Sequence, residues 1–216
     1  MEIYRLVFSP IDVNTYILAD ESGSCAIIDC GCYNESEFSV LTSLLEKKNL
    51  TPVLLLNTHC HLDHVFGNGM ILEKYRLRSY YHPGDEQNRL DAVKHAMFFG
   101  LEMDTPPEPG GFIENGQFIS FGSVSLKALH VPGHSPGSIA FYSEKDKTVF
   151  TGDALFAGSI GRTDIPGGDH GKLIESITNK LFILPPETIV YPGHGEKTSI
   201  GREINSNPYL TGAGNF

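Results

Sequence analysis

The stretch Thr58-His59-Cys60-His61-Leu62-Asp63-His64 places three imidazoles and a carboxylate within six residues, directly after the apolar run Val53-Leu54-Leu55-Leu56. A short apolar run bounded by polar residues reads as a buried strand, so the cluster reads as a loop leaving the strand's end. Alternate residues of an extended segment point the same way, which lets His59 and His61 reach one cation together. Asp63 and His64 fall beyond that pair and can serve a second. Imidazole nitrogens with a carboxylate oxygen suit zinc, iron or manganese. A polar turn made only for solubility has no use for three histidines, so the chain is expected to fold around this stretch.

Three later segments have the same form. Leu129-His130-Val131-Pro132-Gly133-His134, Val149-Phe150-Thr151-Gly152-Asp153 and Ile189-Val190-Tyr191-Pro192-Gly193-His194 each run from an apolar strand through glycine to a side chain that can bind metal. Parallel strands that end on one sheet edge set their following loops side by side. Glycine lets the backbone turn sharply there. Seven candidates collect at one edge: His59, His61, Asp63, His64, His134, Asp153 and His194. The other histidines fall outside the pattern. His82 precedes Pro83 and His95 lies mid-helix, both in surface or packing roles; His130 reads as a hydrogen-bonded core residue, and His170 as a helix cap. Cys25, Cys30, Cys32 and Cys60 have no framework spacing and read as small buried thiols, not as disulfides.

The patterning gives strands at Glu2 to Phe8, Thr15 to Ala19, Cys25 to Asp29 and Val53 to Asn57, with a helix between the last two that starts at an Asn34/Glu37 capping pair and runs to about Lys48. A helix over Gly67 to Arg76, a short strand Ser79 to His82 and a helix from Asp85 to Phe99 with Leu90, Val93 and Met97 on one face come next, then an irregular loop from Leu101 to Gly111. Four strands are expected at Phe112 to Phe121, Ser123 to His130, Ser138 to Ser143 and Thr148 to Thr151. A helix over Lys172 to Phe182, a strand over Glu187 to Tyr191 and a helix over Thr198 to Asn205 complete the order. Both halves give antiparallel strands followed by strands alternating with helices. Two mixed sheets packed face to face with helices outside, a four-layer αββα sandwich in one domain over residues 1–216, fit that order best.

Composition narrows the function. Hydrophobic content of 40% with 19% charged residues is ordinary for a globular chain. The balance of 16 basic against 26 acidic residues, a formal charge of −10, argues against nucleic-acid or anionic-membrane partners. MEIYRLVFSP alternates like a strand and lacks the apolar core of a signal peptide, and no apolar run approaches a membrane span. The expectation is a cytoplasmic protein, monomer or small homo-oligomer.

THCHLDH, GH at His134, FTGD at Asp153 and PGH at His194, in that order, resemble the metallo-β-lactamase fold superfamily across essentially the whole chain. Within it, FTGDALFAGSIGRTDIPGGDHGKLIESI and YPGHGEKTSIGREINSNPYL look like the short glyoxalase II-type hydrolases. The resemblance implies the αββα fold and a site of two divalent ions, zinc first, with iron or manganese also suited. In that reading His59, His61 and His134 hold one ion, Asp63, His64 and His194 the other, and Asp153 bridges them. It implies attack of a metal-bridging hydroxide, with Asp63 and Asp153 as catalytic ligands, on a small-molecule thioester such as S-lactoylglutathione. Full-length glyoxalase II adds a C-terminal helical domain that contacts glutathione, and offers the thiol cofactor a lysine and a tyrosine where this chain reads Ile160-Gly161-Arg162-Thr163-Asp164. Arg162 can bind a substrate carboxylate or pair with Asp164. Iron persulfide dioxygenases share the histidine motif and the GRTD run but tend to carry PAH in place of Pro192-Gly193-His194, which favours the hydrolase. A non-catalytic metal-binding module would need every metal position closed by protein, and no additional Cys or His is present to do so.

Overall fold

The computed structural model describes residues 1–211. β1 (Glu2–Phe8), β2 (Val13–Ala19), β3 (Ser24–Ile28), β4 (Thr51–Leu56), β5 (Ser79–Tyr81) and β6 (Gly111–Phe112) form a first sheet in that order, antiparallel from β1 to β3 and parallel from β3 onward. Its connections carry α1 (Glu35–Lys47), α2 (Leu62–Val65), α3 (Asn68–Tyr75) and α4 (Glu86–Phe98). β7 (Phe118–Phe121), β8 (Val124–His130), β9 (Ile139–Ser143) and β10 (Thr148–Gly152) form an antiparallel run; β13 (Ile189–Pro192) joins β10 in parallel and β14 (Thr198–Ser199) closes the edge of this second sheet. A small hairpin, β11 (Leu155–Phe156) with β12 (Ser159–Ile160), precedes α5 (His170–Ser176), and α6 (Ile200–Ser206) follows β14.

The four layers follow from side-chain alternation. Tyr16, Leu18, Ala26, Ile28 and Leu56 of the first sheet meet Phe121, Leu126, Ala128, Ile139, Phe141 and Phe150 of the second. The opposite face of the first sheet, through Ile17, Cys25, Ile27 and Leu55, packs on Phe38, Leu41 and Leu45 of α1 and Ile71 of α3. That of the second, through Ala140, Tyr142, Val149 and Val190, packs on Leu173 of α5 and Ile200 of α6. β2 is buried along its whole length because both of its faces are covered. Each large apolar side chain buried in this way contributes about 1.5–3 kcal/mol, which offsets the cost of crowding polar groups at one edge.

Several boundaries differ from the sequence expectation. The single strand expected over Phe112 to Phe121 is two: Tyr80 and Tyr81 pair with Gly111 and Phe112 in the first sheet, whereas Phe118 begins the second. The chain changes sheets between them through Gly116, whose φ of +81° only glycine adopts readily. Pro52 lies inside β4, where the register with β3 shifts and a missing N–H is tolerated. Asn34 caps α1 by accepting from Glu37 N, as expected, but Glu37 turns its carboxylate to the amides of Tyr33 and Ser9. On α4 the expected apolar face is mostly turned outward: Leu90 and Met97 are exposed and Val93 is half-buried, while the buried side is Asn88, Arg89, Ala92 and Ala96, with the small Ala92 packed against Val65 of α2. The helix expected to start at Lys172 begins at His170 with Asp169 as its cap, and widens into a π turn over Ile177–Leu181. All four cysteines are buried and free. Among the described residues no helix is long and apolar enough to cross a membrane.

Candidate metal centre

The C-terminal ends of β3, β4, β8, β10 and β13 lie at one edge, and all seven expected residues meet there. Ring nitrogens of His59, His61 and His134 form one group, and ligand atoms of Asp63, His64 and His194 a second, each with its members within 4.8 Å of one another. His61 Nδ1 lies 2.8 Å and His59 Nε2 3.2 Å from His134 Nε2. In the second group Asp63 Oδ2 is 3.1 Å from His194 Nε2 and 3.5 Å from His64 Nε2. Asp153 stands between the groups. Its Oδ1 faces His64 Nε2 at 3.4 Å, and its Oδ2 faces both His134 Nε2 and His194 Nε2 at 3.6 Å. The first motif is extended only as far as His61; α2 starts at Leu62, so the neighbours Asp63 and His64 project about 100° apart around a helix.

Four of the five rings are locked from outside. His134 Nδ1 donates to the Arg162 carbonyl at 2.8 Å, His194 Nδ1 to the Asp12 carbonyl at 3.1 Å, and His64 Nδ1 to Asp29 Oδ2 at 2.9 Å. The Thr58 hydroxyl donates to Asp29 Oδ2 at 2.6 Å and is left to accept from His59 Nδ1 at 3.1 Å. A neutral imidazole with its outer nitrogen protonated presents an unprotonated Nε2 on the other side. Lone pairs therefore face lone pairs and carboxylates across the centre. His64 Nε2 and Asp153 Oδ1 are buried without a hydrogen-bond partner among the described residues, and a buried unsatisfied polar atom costs about 1–3 kcal/mol. Divalent cations are the partners such a donor set fits.

The titration tendencies describe the same demand for positive charge. Burial, reinforced by the neighbouring histidines, holds His59 far below the usual imidazole range, and burial together with His134 pushes His61 down to about 3. For His64, burial opposes charge but Asp63, Asp29 and Asp153 outweigh it and raise the pKa. His194 is raised in the same sense, against burial, by its hydrogen bond to Asp63 and by the charge of Asp153. Burial alone would raise Asp63 and Asp153, yet His64 and His194 keep both below the ordinary carboxylate range. A proton and a cation would compete for the same inward lone pairs of His64 and His194.

The backbone around the site is equally constrained. Gly152 has φ +50°, and a Cβ there would fall 2.3 Å from Thr58 Oγ1. Asn14 holds the last loop: its Nδ2 donates to the Pro192 and Gly195 carbonyls at 2.9 Å, and Tyr16 OH donates to Pro192 O at 2.7 Å. Asn14, Tyr16 and Asp29 were not singled out from the sequence. Asp29 had a signal, since Cys25 to Asp29 also runs from an apolar strand into a carboxylate, with a glycine two residues on. Asn14 had none. Arg162 lies at the site through its carbonyl, while its exposed guanidinium pairs in bidentate fashion with Asp164 at 2.8 and 2.9 Å. Of the other histidines, His82 and His130 stack on each other with centroids 3.9 Å apart, and His130, half-buried instead of core, faces the Pro136 carbonyl. His95 is half-buried in α4, and His170 is the exposed first residue of α5, not its cap.

The sequence model of the Metallo-beta-lactamase superfamily matches residues 9–194. The chain belongs to the metallo-beta-lactamase superfamily. Members similar to it include the "Probable metallo-hydrolase YqgX" of Bacillus subtilis (strain 168), 36% identical with 98% of this chain and 99% of that protein covered. The "Hydroxyacylglutathione hydrolase GloC" of Haemophilus influenzae is 36% identical over 97% of this chain and 98% of its own length. Among solved structures, TTHA1623 in a di-iron-bound form superposes with a TM-score of 0.87 at 39% identity, covering 96% of this chain and all of that one.

Proposed function

We propose that this chain is a binuclear metallohydrolase that cleaves a thioester, S-lactoylglutathione or a related acyl-thiol. The observation that carries the reading is the convergence of seven donors, with His59, His61 and His134 as one set, Asp63, His64 and His194 as another, and Asp153 in reach of both, forming a third set with His59 and His64. His59, His61 and His134 would hold one divalent ion and Asp63, His64 and His194 the other, with zinc, iron or manganese all compatible with the donors. Bound there, such ions supply a nucleophilic hydroxide at neutral pH and polarise a carbonyl. Asp29 and Thr58 keep His64 and His59 in the tautomer that turns Nε2 inward, and Asn14 keeps the His194 loop closed on the centre. The two inward carboxylates, Asp63 and Asp153, carry −2 against +4 from two divalent ions, so the site stays positive and suits an anion developing on the substrate. A thiolate leaves with little need of a proton, which matches a site whose histidines all point to ligands or acceptors. The named activity of the GloC relative supports the thioester, and the di-iron neighbour supports two ions. We read residues 1–216 as one catalytic domain acting on a small molecule.

Metal analysis of freshly purified protein, combined with anaerobic thiol release from a panel of thioesters, tests this. Close to two divalent ions per chain and thiol release without oxygen are expected. One iron per chain with oxygen uptake on a persulfide would replace the reading with a dioxygenase, and bound metal without turnover would replace it with a binding module.

Gly193 gives a second test. A Cβ at this position would lie 2.1 Å from Asp153 Oδ1 and 2.8 Å from His64 Cε1, so alanine has no room unless Asp153 or His64 moves. Gly193→Ala is expected to lower the metal content from two toward one and hydrolysis by about 10–100-fold, the usual cost of disturbing a ligand's support. Two tightly held ions in that variant would show that the close approach is not needed.

A further inference from the structure

Asp85 is fully buried at the turn between β5 and α4. It occupies the N-cap position of α4, where a carboxylate ordinarily accepts from the helix's own first amides. Asp85 makes no such bond. Its Oδ1 accepts from Gly137 N at 2.6 Å, and its Oδ2 accepts from Cys60 N at 2.7 Å and from Ser135 Oγ at 3.0 Å. Cys60 lies between His59 and His61; Ser135 and Gly137 follow His134. One carboxylate thus joins the two segments that carry the three histidines of the first group: Ser135 and Gly137 belong to the His134 loop, which holds no member of the second group, and Cys60 sits between His59 and His61 on the stretch that continues into Asp63 and His64. The approach is close enough to exclude a side chain at 137, where a Cβ would fall 2.6 Å from Asp85 N and 2.8 Å from Asp85 Oδ1.

We propose that Asp85 is a positioning residue that sets the spacing of the His59–His61 segment and the His134 loop, and so selectively maintains the three-histidine metal position. The proposal rests on the reading of these histidines as metal ligands. A carboxylate is required because all three partners donate: an amide of the same shape would turn its NH2 group toward Gly137 N–H or Cys60 N–H, pushing apart one of the two loops it should join. Two of the three partners lie on the His134 loop and the third between His59 and His61, so the loss should fall first on the three-histidine ion.

Asp85→Asn is compared with wild type by zinc content and by titration with a chelator. Glu203→Gln serves as the control, since Glu203 is an equally buried carboxylate whose partners, Gly158 N, Thr198 Oγ1 and Asn207 Nδ2, lie outside the histidine loops. The expected result is a fall from two zinc ions to one in Asp85→Asn, with the weaker ion removed at about 10–100-fold less chelator than in wild type, while Glu203→Gln loses thermal stability but keeps both ions. Retention of both ions at the wild-type chelator midpoint, or equal loss of both positions in the two variants, would overturn it. The joining of the loops is read separately in metal-stripped protein by hydrogen exchange at the Cys60 and Gly137 amides. Both should exchange about tenfold faster or more in Asp85→Ala, and unchanged protection would overturn the proposal whatever the metal content of wild type. If Asp85→Ala does not fold, Ser135→Ala, which removes one donor of the three, is expected to shift the same two readouts in the same direction by a smaller factor.

Discussion

His61→Ala is expected to reduce thioester hydrolysis by about 10^3-fold or more while leaving a folded chain. A metal ion supplies several kcal/mol of transition-state stabilisation, and about 1.4 kcal/mol corresponds to a factor of ten. The fold should survive because the His61 side chain supports nothing else. It is half-buried, it makes no cap bond although it stands at the N-cap of α2, and among the described residues its side chain has one hydrogen-bond contact, with His134 across the centre. Its pKa, pushed down to about 3 by burial and by His134, keeps it uncharged at neutral pH, so removing it deletes a metal donor without deleting a charge from the apo protein. The check is threefold: activity, metal content, and the thermal midpoint of the metal-stripped protein. Activity and at least one ion should be lost while the midpoint of the stripped protein moves little. Retained hydrolysis would rule out the ligand assignment.

Asp29→Ala is expected to destabilise the protein by about 3–5 kcal/mol, in the range for leaving one side of a buried polar network unpaired. Asp29 is 2% exposed and accepts from Thr58 N at 2.7 Å, Thr58 Oγ1 at 2.6 Å and His64 Nδ1 at 2.9 Å. Alanine would strand all three donors, each at a cost of about 1–3 kcal/mol before relaxation. It would also have to adopt φ near +54°, a left-handed conformation that Asp tolerates and Ala resists. The consequence for the centre differs from that of His61→Ala. His64 loses the acceptor that fixes its tautomer, and Thr58 loses the acceptor that leaves it free to receive His59 Nδ1–H, so both groups of ligands are disturbed. Chemical denaturation of the metal-stripped variant, with metal content measured in parallel, checks this. Loss of metal with wild-type stability would show that Asp29 only orients ligands, and full stability with both ions would remove it from the network altogether.

These two cases mark what local pattern can and cannot reveal. The helix from Asn34 to Lys48, the short strand ending at Asn57 and the strand into Gly152 follow from capping pairs and hydrophobic period, because those forces act within a few residues. Ala92 and Ala96 reverse the apparent face of α4, and the chain switches sheets between Phe112 and Phe118, because packing against residues distant in sequence outweighs a short apolar period. The hairpin from Leu155 to Ile160 has strands of only two residues, too short to carry a period at all.

For the candidate centre, the sequence by itself marked out the seven candidate donors, since imidazoles and carboxylates that follow apolar strands have a chemistry independent of their neighbours. The tertiary structure alone decided how they are held. Asp29 meets His64, Asn14 meets Pro192 and Asp85 meets Gly137, across 35, 178 and 52 positions of chain. A hydrogen bond between such positions depends on where two sheets and their loops come to rest, and no period of two or 3.6 residues records it. The candidate donors are legible because their type is fixed residue by residue; their supports are not, because any buried carboxylate or amide could serve until the fold brings one to the donors that need it.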